Sequence, residues 1–370
     1  MSARFLTVVL ERAFNMRDGF GREIDYMRIS VIDSCNLNCY YCNPCDNNEH
    51  CHALNILSVK EVLCIVRAAT RLGIKHFRLT GGEPLLHPQL DEMVLQIKKI
   101  PGVSSVSLTT NAVLLAQHAK WLKEAGIDSI NVSLDTIDAS EYERITKKPL
   151  LEEVKHGINA AIECGIRVKI NVVLTPQTDV VALTRYVAKK GTDIRFIEMM
   201  PVGEGHTNGV EPYKKVIGTL SKLYGEPCRI NTEKTKEINS GNDKRKIPDN
   251  GPAEYYIFPE LGIRVGLIQA IHGKFCATCN RIRVTADGRL MPCLGSSVTM
   301  DLVPDSCEFT DDLEKDFVIV QALKAAIKAK PGCHNFNDNA VTYTKTTETK
   351  TTEIEAAEVN AARNMSRIGG

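Results

Sequence analysis

Between Met27 and Met200 short β-rich runs alternate six times with amphipathic helical stretches, and this rhythm leaves few folds open. The β-rich runs read MRISVID, HFRLTG, SVSLTTN, SINVSLD, RVKINVVL and DIRFIEMM. The first helical stretch, SVKEVLCIVRAATRLG, carries Ser58 and Glu61 at the spacing of a capping box. Five helical stretches stop at a glycine (Gly73, Gly102, Gly126, Gly165 and Gly191) just before the next β-rich run, as left-handed helix ends do. Repeated β/α units imply a parallel sheet with helical crossovers, and six of them suggest an incomplete (β/α)6 barrel of the TIM type. A flat, doubly wound sheet satisfies the same pattern.

The chemically unusual residues collect at one end of these units. Cys35 follows the first run, and Gly81, Gly82, Glu83 and Pro84 follow the second. Thr109, Thr110 and Asn111 end the third, Ser133 and Asp135 the fourth, and Glu198 to Pro201 the sixth. In parallel α/β folds the carboxyl ends of strands carry the chemistry, so these residues are expected around one mouth.

After Gly203 the rhythm is lost. The stretch EPCRINTEKTKEINSGNDKRKIPDNGPAEYY is polar and turn-rich; two hairpin-like segments follow, IRVGLIQAI and RIRVTADGRLMPCL, the latter turning at Asp287-Gly288. The division expected is a barrel core over 1–220, a C-terminal substrate-binding region over 221–336, and a flexible tail over 337–370 that ends in Gly369-Gly370. A net charge of +1 with interspersed signs argues against a nucleic-acid or anionic-membrane partner. No apolar run approaches the ~20 residues of a membrane-spanning helix. The opening apolar stretch is broken too early, by Glu11 and Arg12, for a signal peptide. A soluble, cytoplasmic protein is the expectation.

Thirteen cysteines, an odd number in a long chain without a secretory signal, point to metal or redox chemistry rather than to disulfides. Six form two groups, while Cys64, Cys164 and Cys228 read as small apolar fillers. Cys35, Cys39 and Cys42 are spaced C-x3-C-x2-C. A structural zinc would want four ligands, and Cys45 could supply the fourth. Three thiolates on an iron–sulfur cubane would instead leave one iron open to a small molecule. His50, Cys51 and His52 form a further small group able to scavenge a metal. Cys276, Cys279 and Cys293 are spaced C-x2-C-x13-C, again three ligands, with Arg281 and Arg283 directly after the second. Zinc completed by Cys307 or His272 would leave these arginines unexplained, whereas guanidinium forks beside an open iron suit an anionic or purine-bearing ligand.

C-x3-C-x2-C after the first strand and GGEP after the second resemble the radical S-adenosylmethionine (SAM) enzymes. The chain from DYMRISVIDSCNLNC through LTTN, INVSLD, VKINVV and RFIEMMPVG to CNRIRVTADGRLMPCL, KPGCHNF and the final MSRIGG resembles, within them, the GTP 3′,8-cyclase family. The resemblance implies two [4Fe–4S] clusters, one on Cys35, Cys39 and Cys42 and one on Cys276, Cys279 and Cys293. It implies SAM held by Tyr41, Gly82, Ser133 and Met200, and GTP held by Arg28, Arg78, Thr109, Lys169 and the Arg281-Ile282-Arg283 run. The implied reaction abstracts the ribose 3′-hydrogen of GTP and joins the sugar to carbon 8 of guanine. This is the first step of molybdenum cofactor biosynthesis, fed by an external electron donor and followed by the next enzyme of that pathway. A homodimer is implied, as is a Gly-Gly end that reaches back to the active site. Two positions depart from the family: Asn43-Pro44-Cys45 where Met-Pro is common, and His76 where a lysine is common. A peptide-modifying radical enzyme and a non-catalytic zinc protein are the rival readings.

Overall fold

The computed structural model describes residues 16–42, 55–202, 209–230, 251–296, 298–302, 312–334 and 336. Cys45, the His50–Cys51–His52 group, Cys307 and the tail over 337–370 lie outside these residues.

Six strands follow the expected runs: β1 (Tyr26–Ser30), β2 (His76–Thr80), β3 (Ser105–Thr110), β4 (Ser129–Ser133), β5 (Val168–Val173) and β6 (Asp193–Ile197). The helices between them are α1 (Val59–Arg71), α2 (Leu90–Lys98), α3 (Leu115–Glu124), α4 (Ala139–Thr146), α5 (Leu151–Glu163) and α6 (Val180–Lys189). α1 starts at the expected capping box, where Ser58 Oγ accepts from the Glu61 N–H at 3.3 Å and Glu61 Oε2 accepts from the Ser58 N–H at 2.8 Å. It stops at Gly73, whose φ of 85° is the left-handed region where a side chain would be strained.

β1 to β6 are neighbours in chain order, and every adjacent pair is parallel. A doubly wound sheet reverses its strand order at a switch point, and no reversal occurs here. Parallel neighbours in unbroken order place the crossover helices on one face of the sheet when the connections are right-handed, as such connections almost always are, which is the arrangement of a partial barrel.

The C-terminal region is woven into this sheet rather than appended to it. β7 (Cys228–Ile230), β8 (Glu254–Ile257) and β9 (Arg264–Ile268) extend one edge, with β9 parallel to β6 and antiparallel to β8. β10 (Arg281–Val284), β11 (Arg289–Met291) and β12 (Met300–Asp301) extend the other, with β10 parallel to β1. The expected Asp287-Gly288 turn joins β10 to antiparallel β11. α7 (Gly218–Tyr224) precedes β7, and α8 (Asp312–Lys328) docks on α1 through Asp316, which pairs with Arg71 at 3.0 Å. No helix among the described residues is long and apolar enough to cross a membrane.

Strand alternation divides the two faces of the sheet sharply. Met27, Ile29, Phe77, Leu79, Val106, Leu108, Ile130, Val132, Ile194, Phe196, Ile282 and Val284 are buried in one core that continues into the helices. The other face is polar. The register aligns Arg28 with Arg78 and with Arg283, Asn131 with Lys169, and Asn171 with Arg195. Most barrels fill this space with branched apolar side chains. Here it is lined with guanidinium, ammonium and amide groups, an interior suited to a polar anionic guest.

Candidate active site

A cavity of about 580 Å³ opens at the carboxyl ends of the strands, and both cysteine groups line it. The first group sits on the loop after β1. Its position depends on close backbone contact with the GGEP turn: the Gly82 N–H donates to Ile32 O and the Glu83 N–H to Ser34 O, both at 2.7 Å. A Cβ on Gly82 would lie 2.1 Å from Ser34 O, so only glycine permits this approach. Glu83 is buried beneath the turn and accepts from Thr110 Oγ1 and the Asn111 N–H, each at 2.7 Å, and from the Leu85 N–H at 3.0 Å. Burial pushes its carboxyl up to about 7. Asn111 in turn donates to Asn36 Oδ1 at 2.7 Å, tying the end of β3 to the cysteine loop.

Burial pushes the Cys35 thiol up to about 11 and Cys42 to about 12, and moves Cys39 well above the ordinary value; the neighbouring sulfurs add to the rise at Cys39 and Cys42. Three crowded thiols, Cys35 exposed and Cys39 and Cys42 partly buried, become thiolates together most readily against a strongly cationic centre, and three thiolates are the donor chemistry of an iron–sulfur cluster. Tyr41 donates its hydroxyl to Asp135 Oδ2, and Asp135 Oδ1 accepts from the Val173 N–H at 2.8 Å. The phenol ring is thus braced by the ends of β4 and β5. Burial pushes the Asp135 carboxyl up to about 6. Gly82, Ser133 and Met200 line the cavity with Tyr41, and Met200 packs with Val202, Met291, Leu294 and Phe336.

The second group, Cys276, Cys279 and Cys293, also faces the cavity, and two buried cations hold its loops. Arg22 donates from Nη1 to Cys276 O at 2.6 Å and Gly332 O at 3.2 Å, and from Nη2 to Pro331 O at 2.6 Å. Lys330 donates to Arg281 O at 2.8 Å and Pro292 O at 2.9 Å, bridging the two segments that carry the cysteines. Burial alone would push the Cys279 thiol up, but the Lys330 ammonium and the Arg281 N–H and charge outweigh it, and the net shift is downward. Cys279 therefore ionises more readily than an ordinary thiol. This donor set also fits a cluster, with Lys330 as a countercharge.

Arg28, Thr109, Arg281 and Arg283 line the cavity beside these cysteines. Burial, with the adjacent Arg281 charge acting in the same direction, lowers Arg283 to about 10. Crowding like charges in this way costs free energy that an anion in the cavity would return. Two expected contacts lie behind the wall instead of on it. Arg78 donates to the Tyr26 hydroxyl and to Thr109 Oγ1 at 3.3 Å, and buried Lys169 sits in register between Asn131 and Asp193. The Ile282 side chain does not face the cavity, so any contact it makes there is through its backbone. Its side chain is 1% exposed on the opposite face from Arg281 and Arg283, inside the hydrophobic core, because alternate residues of β10 point opposite ways. His76 stands at the start of β2, away from the mouth, with Nδ1 2.8 Å from Ser105 Oγ.

Sequence reading missed Arg195, which shares the inner face and donates to the Tyr255 hydroxyl at 2.6 Å. Its phase along β6 was the available signal. Lys330 and His334, from the KPGCHNF segment, line the cavity too; nothing local in that segment marks them, since they reach the site only through tertiary contact.

A curled parallel sheet with C-x3-C-x2-C on the first loop and a glycine turn against it defines the radical SAM class, and the family model described as Radical SAM superfamily matches residues 29–182. A second model, Molybdenum Cofactor Synthesis C, matches residues 192–336. The chain belongs to the GTP 3′,8-cyclase family. It is 36% identical over 324 residues to the GTP 3′,8-cyclase of Clostridium perfringens (strain SM101 / Type A), covering 87% of this chain and 95% of that protein. To the GTP 3′,8-cyclase of Listeria monocytogenes it is 36% identical over 323 residues, with 86% and 92% covered. Among solved structures, Streptococcus suis SuiB bound to S-adenosylmethionine is similar at a TM-score of 0.53 and 14% identity, over 81% of this chain and 65% of that one. Native anSMEcpe with bound AdoMet is similar at 0.50 and 18%, over 72% and 74%. At such identities these two establish the fold alone. Membership of the radical SAM class brings with it a [4Fe–4S] cluster and SAM.

Proposed function

We propose that this chain converts GTP to its 3′,8-cyclised dihydro form, the first step of molybdenum cofactor biosynthesis, in the one cavity that both cysteine groups line. The carrying observation is that shared cavity: Cys35, Cys39 and Cys42, Cys276, Cys279 and Cys293, and the guanidinium groups of Arg28, Arg281 and Arg283 all line it. Cys35, Cys39 and Cys42 would hold the first cluster, which when bound supplies the electron that splits SAM into a hydrogen-abstracting fragment. Tyr41, Gly82, Ser133 and Met200 would hold SAM beside it, with Tyr41 kept upright by Asp135.

Cys276, Cys279 and Cys293 would hold a second cluster, which would supply an iron site for the guanine. Arg28, Arg281 and Arg283 would bind the triphosphate, with Thr109 at the wall and Arg78, Lys169 and Arg195 adding charge from behind. Each charge-assisted hydrogen bond contributes about 1.5–3 kcal/mol, so a few such contacts account for tight nucleotide binding. The apolar Met200, Val202, Leu294 and Phe336 side chains shield the reacting atoms from water. An external reductant supplies the electron, and the product passes to the next enzyme of the pathway. The protein works in the cytoplasm, as a homodimer, without nucleic-acid or membrane partners.

The test is anaerobic. Cluster-loaded protein with SAM and a reductant should form 5′-deoxyadenosine and a cyclised nucleotide, both dependent on GTP. Deoxyadenosine that does not respond to GTP would overturn the cyclase reading while keeping the radical class. Iron and sulfide sufficient for one cluster only, in protein that is otherwise active, would overturn the second-cluster assignment.

A further inference from the structure

Asn111, at the end of β3, points its side-chain amide at the first cysteine loop, and the amide is fixed from both ends. Oδ1 accepts from the Val113 N–H at 3.0 Å, so this end is the oxygen and the other end is the donor. Nδ2 then has two hydrogens and two acceptors: Asn36 Oδ1 at 2.7 Å and Cys35 Sγ at 3.8 Å, the longer distance reflecting the larger radius of sulfur. The Asn111 N–H donates to Glu83 Oε2 at 2.7 Å and anchors the backbone beneath the amide. Ala112, the next residue, is buried with a φ of 65°, a left-handed conformation unfavourable for any side chain. Such a turn persists only where its surroundings hold it, and here it leaves the amide facing the cysteine loop.

Resting on the reading of Cys35 as a ligand of the first cluster, we propose that Asn111 raises the redox potential of that cluster by donating a hydrogen bond to the Cys35 sulfur. A reduced cluster carries one more negative charge than an oxidised one, and part of that charge resides on the thiolate sulfurs. An N–H aimed at such a sulfur therefore favours the reduced form, and hydrogen bonds to the sulfurs are among the levers by which a protein sets a cluster potential. The Leu37 N–H, 3.5 Å from the same sulfur, acts in the same sense from within the loop. Asn111 adds a donor from a different strand, held in place by Glu83 and Val113 rather than by the cysteine loop itself.

The competing role is a tether. The bond from Nδ2 to Asn36 Oδ1 ties β3 to the loop whether or not the sulfur accepts anything. The two roles part when Asn36 loses its acceptor: the tether is then gone, while the donor aimed at Cys35 remains. They part again when Asn111 loses its amide hydrogens, because a tether sets where the loop lies and a donor sets how readily the cluster is reduced. Asn111 is on either account a positioning or tuning residue that touches the ligand sulfur and not the reacting atoms.

The experiment poises full-length, cluster-loaded protein at a series of potentials without GTP, so its outcome does not depend on the cyclase reading. The EPR signal that changes on adding SAM reports the first cluster and separates it from a second one. In Asn111→Ser, which loses the amide donor and adds no charge, the reduced-to-oxidised ratio at a fixed potential should fall about tenfold, a midpoint lowered by about 59 mV for one electron. Asn111→Asp, which keeps an acceptor for the Val113 N–H and adds a negative charge, should fall further. Asn36→Ala should stay within about twofold of wild type. A ratio within about twofold of wild type in Asn111→Ser, or an equal fall in Asn36→Ala, overturns the proposal. If Asn111→Ser takes up no iron, Asn111→Asp, the closer match in shape, decides by the same criterion. Cys35→Ala tests the reading beneath. A SAM-responsive signal that survives it removes Cys35 as a ligand and the proposal with it, whereas a signal lost in Cys35→Ala but unmoved in Asn111→Ser removes the proposal alone.

Discussion

Replacing Gly82 with alanine tests the coupling between the GGEP turn and the first cysteine loop. The added Cβ would lie 2.1 Å from Ser34 O, 2.4 Å from Ser34 C and 2.5 Å from Asp33 O, where ordinary contact begins at 3.4 Å. All three atoms are backbone, so the loop must retreat by roughly 1 Å, and the Glu83 N–H bond to Ser34 O is stretched with it. A misplacement of about 1 Å in a reacting constellation can cost about 100-fold in rate. Cys35 is the next residue, so the displacement reaches the first of the proposed cluster ligands directly.

The assay compares Gly82→Ala with wild type after anaerobic reconstitution: iron content, SAM affinity, and the 5′-deoxyadenosine rate with saturating reductant. Gly102→Ala serves as the control. Its φ of 92° strains an alanine by about 1–2 kcal/mol, but it stands far from the cavity, against Thr70. The control should lose stability with little change in rate per cluster, whereas Gly82→Ala should lose the rate. A Gly82→Ala protein that forms deoxyadenosine within threefold of wild type would refute the close-approach reasoning.

Three other outcomes follow from the site. Lys330→Met strands the Arg281 and Pro292 carbonyls and removes the charge beside Cys279; it should lower the midpoint potential of the proposed second cluster in an EPR titration and reduce its iron, leaving the first cluster's iron intact. Ile282→Val should cost about 0.5–1.5 kcal/mol in thermal unfolding and leave the KM for GTP unchanged, because the side chain belongs to the core; a changed KM would place Ile282 at the site. Glu83, pushed up to about 7 by burial, favours the folded state most when protonated, so its contribution is complete below the ordinary carboxylate value and lost as pH rises through about 7. The loss amounts to about 3 kcal/mol. Denaturant melts of cluster-free protein should show this slope. Glu83→Gln, whose amide would face the Asn111 N–H, should be weaker throughout but flat; an equal slope in the variant would assign the titration elsewhere.

Local chemistry along the chain determined much of this protein. Capping at Ser58 and glycine stops such as Gly73 act within a turn of their own residue, and six alternating units then leave a parallel sheet as the outcome. The two cysteine groups likewise hold Cys35, Cys39 and Cys42, and Cys276 and Cys279, within a few residues of one another, so this part of the candidate site was legible where it was local. What decided the rest was pairing at long range. β10 lies beside β1 although some 250 residues separate them, and β9 lies beside β6; no local pattern encodes which edge a late strand will join. That pairing turns Arg281 and Arg283 toward the cavity and Ile282 into the core, a parity that the continuous run RIR conceals. The same holds for Arg195 and Lys330, each of which acquires its role only when distant segments meet. Backbone propensity and spacing are properties of neighbours in the chain. The charge, burial and sulfur contacts of this cavity are properties of neighbours in space, and only the folded sheet brings them together.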